Sequence, residues 1–363
     1  METKMVVEKA DQTAFEGDSG GYYVWSSSKS PLLSDFKLGA GKLLLRPLGF
    51  ALPHYADSSK IGFVIKGTCT VGLVAPNSPE EKVLLIKEGD AIPLSSGVIS
   101  WWFNSGDTDV VIVFLGETNK ALVPGQFTYY FVSGVLGILA GFGSDIVGKT
   151  FDLDPKESEN VVSSQPGALL VKLKSGIKFP EPSKHTKEKL FATLNEPLCH
   201  TSYIDGGSVN SLTGNNFPML GTIGLSARFV KLIYNSMLAP SYVADGSVQM
   251  NYVVKGSGKI RVVGSEGKPI LDSKVEEGDL FIVPQFFPSA YTADDCGMEV
   301  FSIITSSKPI FGQLAGNTSI WKALAPIVLQ STLNINQKLE HLKWKNTVSI
   351  IIVPGSKLID ENA

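Results

Sequence analysis

The sequence predicts an all-β chain in which two barrels follow one another, each with a short helical arm. The main observation is an internal duplication, because 63-FVIKGTCTVGLV-74 resembles 252-YVVKGSGKIRVV-263 at an offset of 189 residues. The acidic turn 88-EGD-90 matches 277-EGD-279 at the same offset, without a gap. A repeat at this distance indicates that each copy is a domain-sized unit covering about half of the chain.

The second observation is a succession of short apolar runs within each copy. Runs such as 110-VVIVFL-115 are rich in β-branched and aromatic residues, and Gly, Asp, Ser and Pro separate them. This pattern is typical of the strands of a barrel or sandwich. Each copy ends with apolar residues spaced three and four apart, over 144–162 and 318–344, which predict helices. We therefore place the domains at 1–163 and 164–363, each a barrel with its arm.

The composition restricts the function classes. Hydrophobic residues make up 43% of the 363 residues and charged residues 18%, as in a well-buried globular protein. The formal net charge is −3 and there is no long basic run, so nucleic acid is not an expected partner. The three cysteines, Cys69, Cys199 and Cys296, form no C-x-x-C pair, which favours reduced thiols in a cytosolic setting.

Two segments bear on localisation. The N-terminal stretch 1–21 is polar and charged and has no apolar core of signal-peptide length, so we expect a cytoplasmic protein. The stretch 121–144 carries no charge and is long enough to span a bilayer. However, it contains Pro124, Gln126 and several glycines, and it lacks a flanking basic cluster. We therefore interpret it as a buried connecting segment and expect no membrane association.

Four segments resemble the bicupins of the legumin-type seed storage globulin family. They are 20-GGYYVW-25, 139-LAGFGSDIV-147, 207–238 and 312-GQLAGNTSIWKALAPIVL-329, and the resemblance extends over nearly the whole chain. The resemblance implies two cupin barrels, each a double-stranded β-helix of the jelly-roll type. It also implies a homo-oligomer, a trimer assembled through the helical arms and the outer faces of the sheets.

The chain also departs from the storage globulins. It shows no signal peptide, and 194-LNEPLCHTS-202 lacks the Asn-Gly processing site that precedes the second half in that family. The long acidic, Gln-rich inserts are absent as well. In these respects the chain is similar to the compact cytosolic relatives, glutelin-like or cupin-domain proteins, for which the resemblance implies no particular function. Trp101 and Phe103, expected on the outer face, indicate that this face is covered, in agreement with self-association.

A metal-binding cupin uses two His, a Glu and a third His that all point into the barrel. If Gly67 is the closing glycine of the first motif, the ligand positions are occupied by Pro53, Tyr55, Lys60 and Ser100. The glycines and the asparagine of the two motifs are still present, whereas all four ligands are replaced. The second copy has no histidine at its ligand positions either. We therefore expect no metal ion and no other cofactor.

His54 lies between the two replaced histidine positions. Neighbouring residues on a strand point to opposite faces, so we expect His54 to face away from the interior if Tyr55 faces into it. A one-residue register shift would bring His54 inside, but a single histidine is a poor metal site. The side chains expected inside the first barrel are those of Tyr55, Lys60, Ser100 and Trp102.

Lys60 allows two interpretations. Inside an apolar barrel its pKa would fall, which is how a lysine becomes a base or nucleophile, and with Tyr55, Ser100 and His54 it would form a metal-free catalytic or ligand-binding pocket. Alternatively, Lys60 extends to the mouth of the barrel while the other residues fill the core. The second barrel is expected to be polar and neutral, suited to small-ligand binding or simple packing, through Tyr242, Gln249, Asn251, Ser289 and Tyr291.

Three functions follow from these residues. The first is a non-catalytic globulin with a storage, nutrient-reservoir or structural role. The second is a small-molecule binder that uses one or both barrel interiors. The third is a metal-independent isomerase, cyclase or lyase of plant specialised metabolism that uses Lys60, Tyr55 and Ser100, with His54 as a further candidate. Loss of the metal ligands disfavours oxidases and dioxygenases, and absence of the Gln-rich insert weakens pure storage.

Overall fold

The chain forms two compact units, one of residues 10–196 and the other joining 1–9 to 197–363. The sequence places the boundary after residue 163. In the structure, Leu170–Lys172 and Ala192–Thr193 still pair with strands of the first barrel, so the first unit extends further. The structure is a computed structural model, and the residues it describes are 5–182, 190–194, 200–204, 206–334 and 352–355.

Strands make up most of the regular structure, so the fold is all-β as the sequence predicts. The strands are β1 (Val7–Glu8), β2 (Gln12–Gly17), β3 (Gly20–Val24), β4 (Leu38–Leu45), β5 (Gly49–Ala56), β6 (Ser59–Lys66), β7 (Thr68–Val74), β8 (Lys82–Lys87), β9 (Asp90–Leu94), β10 (Ile99–Phe103), β11 (Val110–Glu117), β12 (Tyr129–Phe131), β13 (Leu170–Lys172), β14 (Ala192–Thr193), β15 (His200–Ile204), β16 (Gly207–Leu212), β17 (Ser226–Leu232), β18 (Met237–Val243), β19 (Gln249–Val263), β20 (Pro269–Glu276), β21 (Leu280–Val283), β22 (Ser289–Ile304), β23 (Phe311–Gln313) and β24 (Ile352–Val353).

Short helices follow each barrel, as predicted for the arms. The helices are α1 (Leu32–Asp35), α2 (Ile138–Phe151), α3 (Pro155–Ser163), α4 (Met219–Ile223), α5 (Ile320–Ala323) and α6 (Pro326–Leu333). Helix α2 is interrupted at Gly143, which has a φ of 78°. Asp154 and Glu157 form a capping box at the start of α3. The end of the second predicted arm, 335–344, lies outside the described residues.

No helix in the described part of the chain is long and apolar enough to cross a membrane. The uncharged stretch 121–144 instead contains strand β12 and the beginning of α2. Its backbone polar groups are therefore used in a sheet and a helix of the first unit.

The first barrel consists of two antiparallel sheets. One has the strand order β12-β5-β10-β7-β8, with β13 also paired to β5, and the other has the order β14-β9-β6-β11-β4-β3-β2. Successive side chains on each strand alternate between the interior and the outside. We call the interior of this barrel the first lumen.

The second barrel repeats this arrangement as one continuous sheet of 11 strands. Its long strands β19 and β22, of 15 and 16 residues, run through the places where the first copy has β6 with β7 and β10 with β11. Gln249 therefore occupies the position that corresponds to Lys60, at the 189-residue offset of the sequence repeat. We call the interior of this barrel the second lumen.

An extra residue in β5 changes which of its side chains point inward. On β10, Ser100 and Trp102 are two positions apart, whereas their partners on β5, His54 and Ala51, are three positions apart. This irregularity is a β-bulge, and it reverses the alternation of side chains along the strand.

The second copy has the same bulge in β18. Ser289 and Tyr291 on β22 are two positions apart, and their partners Ser241 and Leu238 are three positions apart. The bulge is therefore a feature of both barrels. A simple alternation would place one particular residue of this strand inside the barrel. Because of the bulge, the residue before it points inward instead.

Asn104, the asparagine of the second motif, has a structural role. It is fully buried, and its Nδ2 donates to the carbonyl oxygens of Leu45 and Thr108, both at 2.8 Å. Its Oδ1 accepts from the N–H of Gly106 at 2.9 Å. These bonds satisfy the backbone of the turn after β10, so the residue is needed for the fold whether or not a metal binds.

The outer face around Trp101 is covered by the chain itself. Trp101 is 6% exposed, and its ring centroid lies 5.1 Å from that of Phe179. Phe179 also stacks on Phe103 at 4.1 Å. Using Trp101 and Phe103 as an indication of self-association is therefore wrong, because a segment of the same unit covers both residues. From the sequence, the trimer prediction then rests on the family resemblance.

Candidate functional site

The first lumen contains a cavity of about 40 Å³. A space of this size admits only a few water molecules, so a larger ligand requires the side chains of its walls to move. The lining is mostly apolar and aromatic and contains no carboxylate. The lining residues are Tyr22, Leu43, Ala51, His54, Lys60, Leu94, Ser100, Trp102, Phe114, Tyr129, Phe131, Leu169 and Leu170.

Lys60 places a primary amine within this aromatic lining. Its Nζ lies 4.1 Å from the ring centroid of Tyr129, 5.0 Å from that of Phe127 and 5.5 Å from that of Phe114. The residue is only 4% exposed, so it stays inside and does not extend to the mouth of the barrel. Attraction between the ammonium and the three rings offsets part of the cost of burying the charge.

The surroundings of Lys60 weaken its protonated form. Burial lowers the pKa of Lys60 from 10.5 to about 7, and the negative charge of Asp57 opposes this only in part. Burial would raise the pKa of Asp57, but hydrogen bonds from Ser58 and from the N–H groups of Leu122 and Thr128 bring it below its usual value. The amine of Lys60 therefore loses its proton more readily than the amine of an exposed lysine.

The orientation predicted for His54 and Tyr55 is wrong, because the bulge in β5 reverses it. His54 lines the first lumen. Tyr55 is not among the lining residues and stacks on Tyr130, with ring centroids 5.0 Å apart and planes 11° apart. Tyr130 lies between Tyr129 and Phe131, which both line the lumen, so the stacked pair is on the opposite face of the sheet.

His54 is held in its neutral form. Its Nδ1 lies 2.7 Å from the carbonyl oxygen of Leu52, so Nδ1 carries the proton and Nε2 is an acceptor. Burial, and then the charge of Lys60, lowers the pKa of His54 to about 4, although the hydrogen bond to Leu52 acts in the opposite direction. Its ring packs at 5.3 Å from that of Tyr129 and 5.2 Å from that of Phe131.

Ser100 and Trp102 lie inside the first lumen, as predicted from the strand. The indole Nε1 of Trp102 donates to Ser100 Oγ at 3.2 Å. Trp102 packs edge-on against Phe114, with ring centroids 5.2 Å apart. Trp102 is 1% exposed and therefore forms a rigid wall of the cavity.

Tyr22 and Tyr129 complete the polar part of the lumen, and sequence reasoning did not find them. Their hydroxyl groups are 2.5 Å apart, and their rings meet edge-on at 5.4 Å. Burial raises the pKa of both residues, so both hydroxyls are neutral. They come from β3 and β12, at opposite ends of the first copy. Only the resemblance of 20-GGYYVW-25 to a family strand marks one of them.

Four of the five residues predicted for the second lumen are buried in the second barrel. Tyr291 and Ser302 both donate to Oδ1 of Asn251, at 3.2 and 2.7 Å. Gln249 and Ser289 are 3% and 5% exposed. This interior is polar, whereas the first lumen is mainly aromatic.

The placement of Tyr242 inside the second barrel is wrong for the same reason as that of Tyr55. Tyr242 pairs with Gly312 and lies across it, since a β-carbon on Gly312 would come within 2.2 Å of the Tyr242 ring. The bulge in β18 brings Ser241 to the position that corresponds to His54. Ser241 is the inward residue that the sequence interpretation missed.

Within the described residues, no group of three or more His, Cys, Asp or Glu side chains is placed to hold a metal ion. The side chains of His185, His200 and His341, which the sequence also names, lie outside that description. His54 is thus the histidine that can be assigned to a lumen, and its neighbours there are aromatic rings and an amine.

The chain is similar to plant seed storage proteins along most of its length. It is 24% identical over 404 aligned residues to the 13S globulin seed storage protein of Fagopyrum tataricum, covering 85% of this chain and 78% of that protein. It is 23% identical to the 12S seed storage protein CRD of Arabidopsis thaliana, covering 91% and 85%. The predicted relationship to seed storage globulins is therefore confirmed.

Solved structures show the same fold. Procruciferin, the 11S globulin of Brassica napus, has a TM-score of 0.88 at 22% identity and covers 98% of this chain and 97% of its own. An 11S globulin from Wrightia tinctoria that reveals an auxin binding site has a TM-score of 0.88 at 21% identity, covering 96% and 95%. At these identities the likeness is one of fold.

Two consecutive segments of the chain, 7–159 and 192–341, match the cupin family. They coincide with the two barrels and their arms, and they account for the duplication in the sequence. Together with the globulin relatives, this match shows that the chain belongs to the cupin family, as a bicupin related to the seed storage globulins.

Proposed function

We propose that this bicupin is a storage-type globulin whose first lumen binds a small aromatic carboxylate. The observation that carries the proposal is the amine of Lys60, which lies among three aromatic rings in a cavity without a lining carboxylate. A carboxylate ligand would supply the negative charge that the lining lacks, and its ring would pack against the apolar walls.

Two further observations support this ligand class. Nε2 of His54 and the hydroxyl pair of Tyr22 and Tyr129 can each make one hydrogen bond to a polar substituent. The auxin binding site of the Wrightia tinctoria globulin also supports the proposal, because auxins are small aromatic acids and the fold is shared.

Replacing the amine tests the proposal. We expect indole-3-acetate or benzoate to bind the wild-type protein in calorimetric titrations, and Lys60→Met to weaken binding by about 10- to 100-fold, because a charge-assisted hydrogen bond is lost. The matched control is Lys66→Met, an exposed lysine at the end of the same strand, which should leave the affinity unchanged. Equal binding of benzamide and benzoate, or unchanged binding by Lys60→Met, would contradict the proposal.

We also propose a trimer that forms through the arms. The family resemblance supports this assembly, as do exposed apolar side chains on the arm helices, including Phe142 on α2 and Ile327 on α6, which are 56% and 68% exposed. We expect a trimer in sedimentation equilibrium, and dissociation by Phe142→Glu. Ser163→Glu, at an exposed position of α3, is the control. A monomeric wild-type protein would contradict this assembly.

The alternative of a metal-independent isomerase, cyclase or lyase is not favoured. Tyr55, one of its proposed residues, stacks on the outside of the sheet, and the relatives are storage proteins.

We retain two expectations, on metal content and on localisation, as proposals. Elemental analysis of the purified protein should find no stoichiometric metal, and a fluorescent fusion should be cytoplasmic; bound manganese or iron, or a vacuolar fusion, would overturn the respective proposal.

A further inference from the structure

The second lumen contains a buried guanidinium group without an anionic partner among the described residues. Arg228, on β17, is 5% exposed, and its Cζ lies 4.8 Å from the ring centroid of Phe311. None of the ion pairs found in the described part of the chain includes it. A buried cation without a counter-charge is costly, so this arrangement needs an explanation.

The second barrel makes space for this side chain. The strand register places Arg228 where the first barrel has Gly41. At Gly41 a β-carbon would come within 2.0 Å of the Tyr22 hydroxyl, so the tyrosine fills that space in the first barrel. The register places Val209 at the position of Tyr22 in the second barrel. The smaller valine leaves the space to the arginine.

Further polar groups converge on the same interior. Gln313, Ser241 and Ser289 follow one another across three paired strands. Oε1 of Gln313 is buried and has no hydrogen-bond partner among the described residues. Gln249 occupies the position that corresponds to Lys60, and Lys60 points into the first lumen. In the first barrel, the residues that correspond to Gln313, Ser241 and Ser289 are Phe131, His54 and Ser100. All three of these line the first lumen.

We propose that the second lumen binds a small hydroxy-carboxylate. The carboxylate would pair with the planar fork of Arg228, which suits two parallel hydrogen bonds, while Phe311 holds the guanidinium from its face. The hydroxyl group of the ligand would donate to Gln313 Oε1 and accept from the amide of Gln249. The proposal concerns other residues than those of the first lumen, so either proposal can fail alone.

Titration calorimetry on the full chain tests this site with L-malate as the probe and its neutral diamide as the comparison. We expect one malate per chain, no binding of the diamide, and about 10- to 100-fold weaker malate binding by Arg228→Met. Arg261→Met, which removes an exposed arginine on β19, is the matched control and should bind malate as the wild type does. Arg228→Lys keeps the charge but loses the fork, and we expect at least a fivefold loss.

Thermal unfolding supplies a readout that does not depend on calorimetry. Without malate, we expect Arg228→Met to unfold at a higher temperature than the wild type, because an unpaired buried charge is removed. Malate should raise the unfolding temperature of the wild type and not that of the variant. The proposal is overturned if malate binds neither protein, if it stabilises both equally, or if the diamide binds as tightly as malate.

Discussion

Relative to Lys60→Met, the wild-type protein should gain stability as the pH rises from 7 to 10.5. In the folded protein the pKa of Lys60 is about 7, against 10.5 as its ordinary value. Between these two values the unfolded chain holds a proton that the folded protein has lost, so the free energy of unfolding rises with pH. At 1.36 kcal/mol per pKa unit, the increase in the free energy of unfolding is at most about 5 kcal/mol. This is an upper limit because the ring contacts stabilise the ammonium.

The difference between the wild type and Lys60→Met isolates this group. Urea unfolding of both proteins at pH 6, 8 and 9.5 should show the variant to be more stable at pH 6, with a smaller difference at each higher pH. Lys66→Met, whose side chain is exposed, should show a difference that does not vary with pH. A pH-independent difference for Lys60→Met would mean that the amine titrates normally and is solvated.

A second expected result is a loss of stability between pH 6.5 and 4 that depends on His54. Its folded pKa is about 4, against 6.5 as its ordinary value, so on acidification the unfolded chain takes up a proton first. The free energy of unfolding therefore falls as the pH falls through this window, by at most about 3 kcal/mol. His54→Gln should remove this component, measured as the difference in urea midpoints between the two proteins.

The coupling of His54 to Lys60 gives a sharper form of the same experiment. Because the charge of Lys60 lowers the pKa of His54, the acid-dependent loss should be smaller when His54→Gln is compared in the Lys60→Met background. Tyr55→Phe, on the outer face of the same strand, is the control and should not alter the acid response. If the loss is equal with and without Lys60, the two groups do not share a lumen.

Much of the first lumen could be predicted from the sequence, and the errors have one cause. Lys60, Ser100 and Trp102 point inward as the motif spacing predicts. His54 and Tyr55 are exchanged, because an extra residue in β5 can be recognised only from its pairing with β10. A one-residue insertion in a strand leaves no mark on composition or apolar pattern, yet it reverses the side-chain alternation.

For a related reason, local sequence patterns do not predict which residues meet across a barrel. Tyr22 and Tyr129 are 107 positions apart, and their hydroxyl groups come together only when β3 and β12 close over the lumen. Arg228 reads in sequence as an ordinary basic residue in 226-SARFVKL-232. Its burial and its lack of a described counter-charge emerge only when the strands of the second barrel enclose it.

Residue order is sufficient to establish the duplication and the resemblance to a bicupin, because the repeat at 189 residues and the replaced ligand positions lie within the chain itself. It also placed Lys60 where a ligand glutamate would be. Folding is needed to enclose Lys60 within three rings and to place His54 beside it inside while Tyr55 lies outside. Burial and pairing register, which set the pKa and direction of a side chain, arise from strands that are distant in the chain.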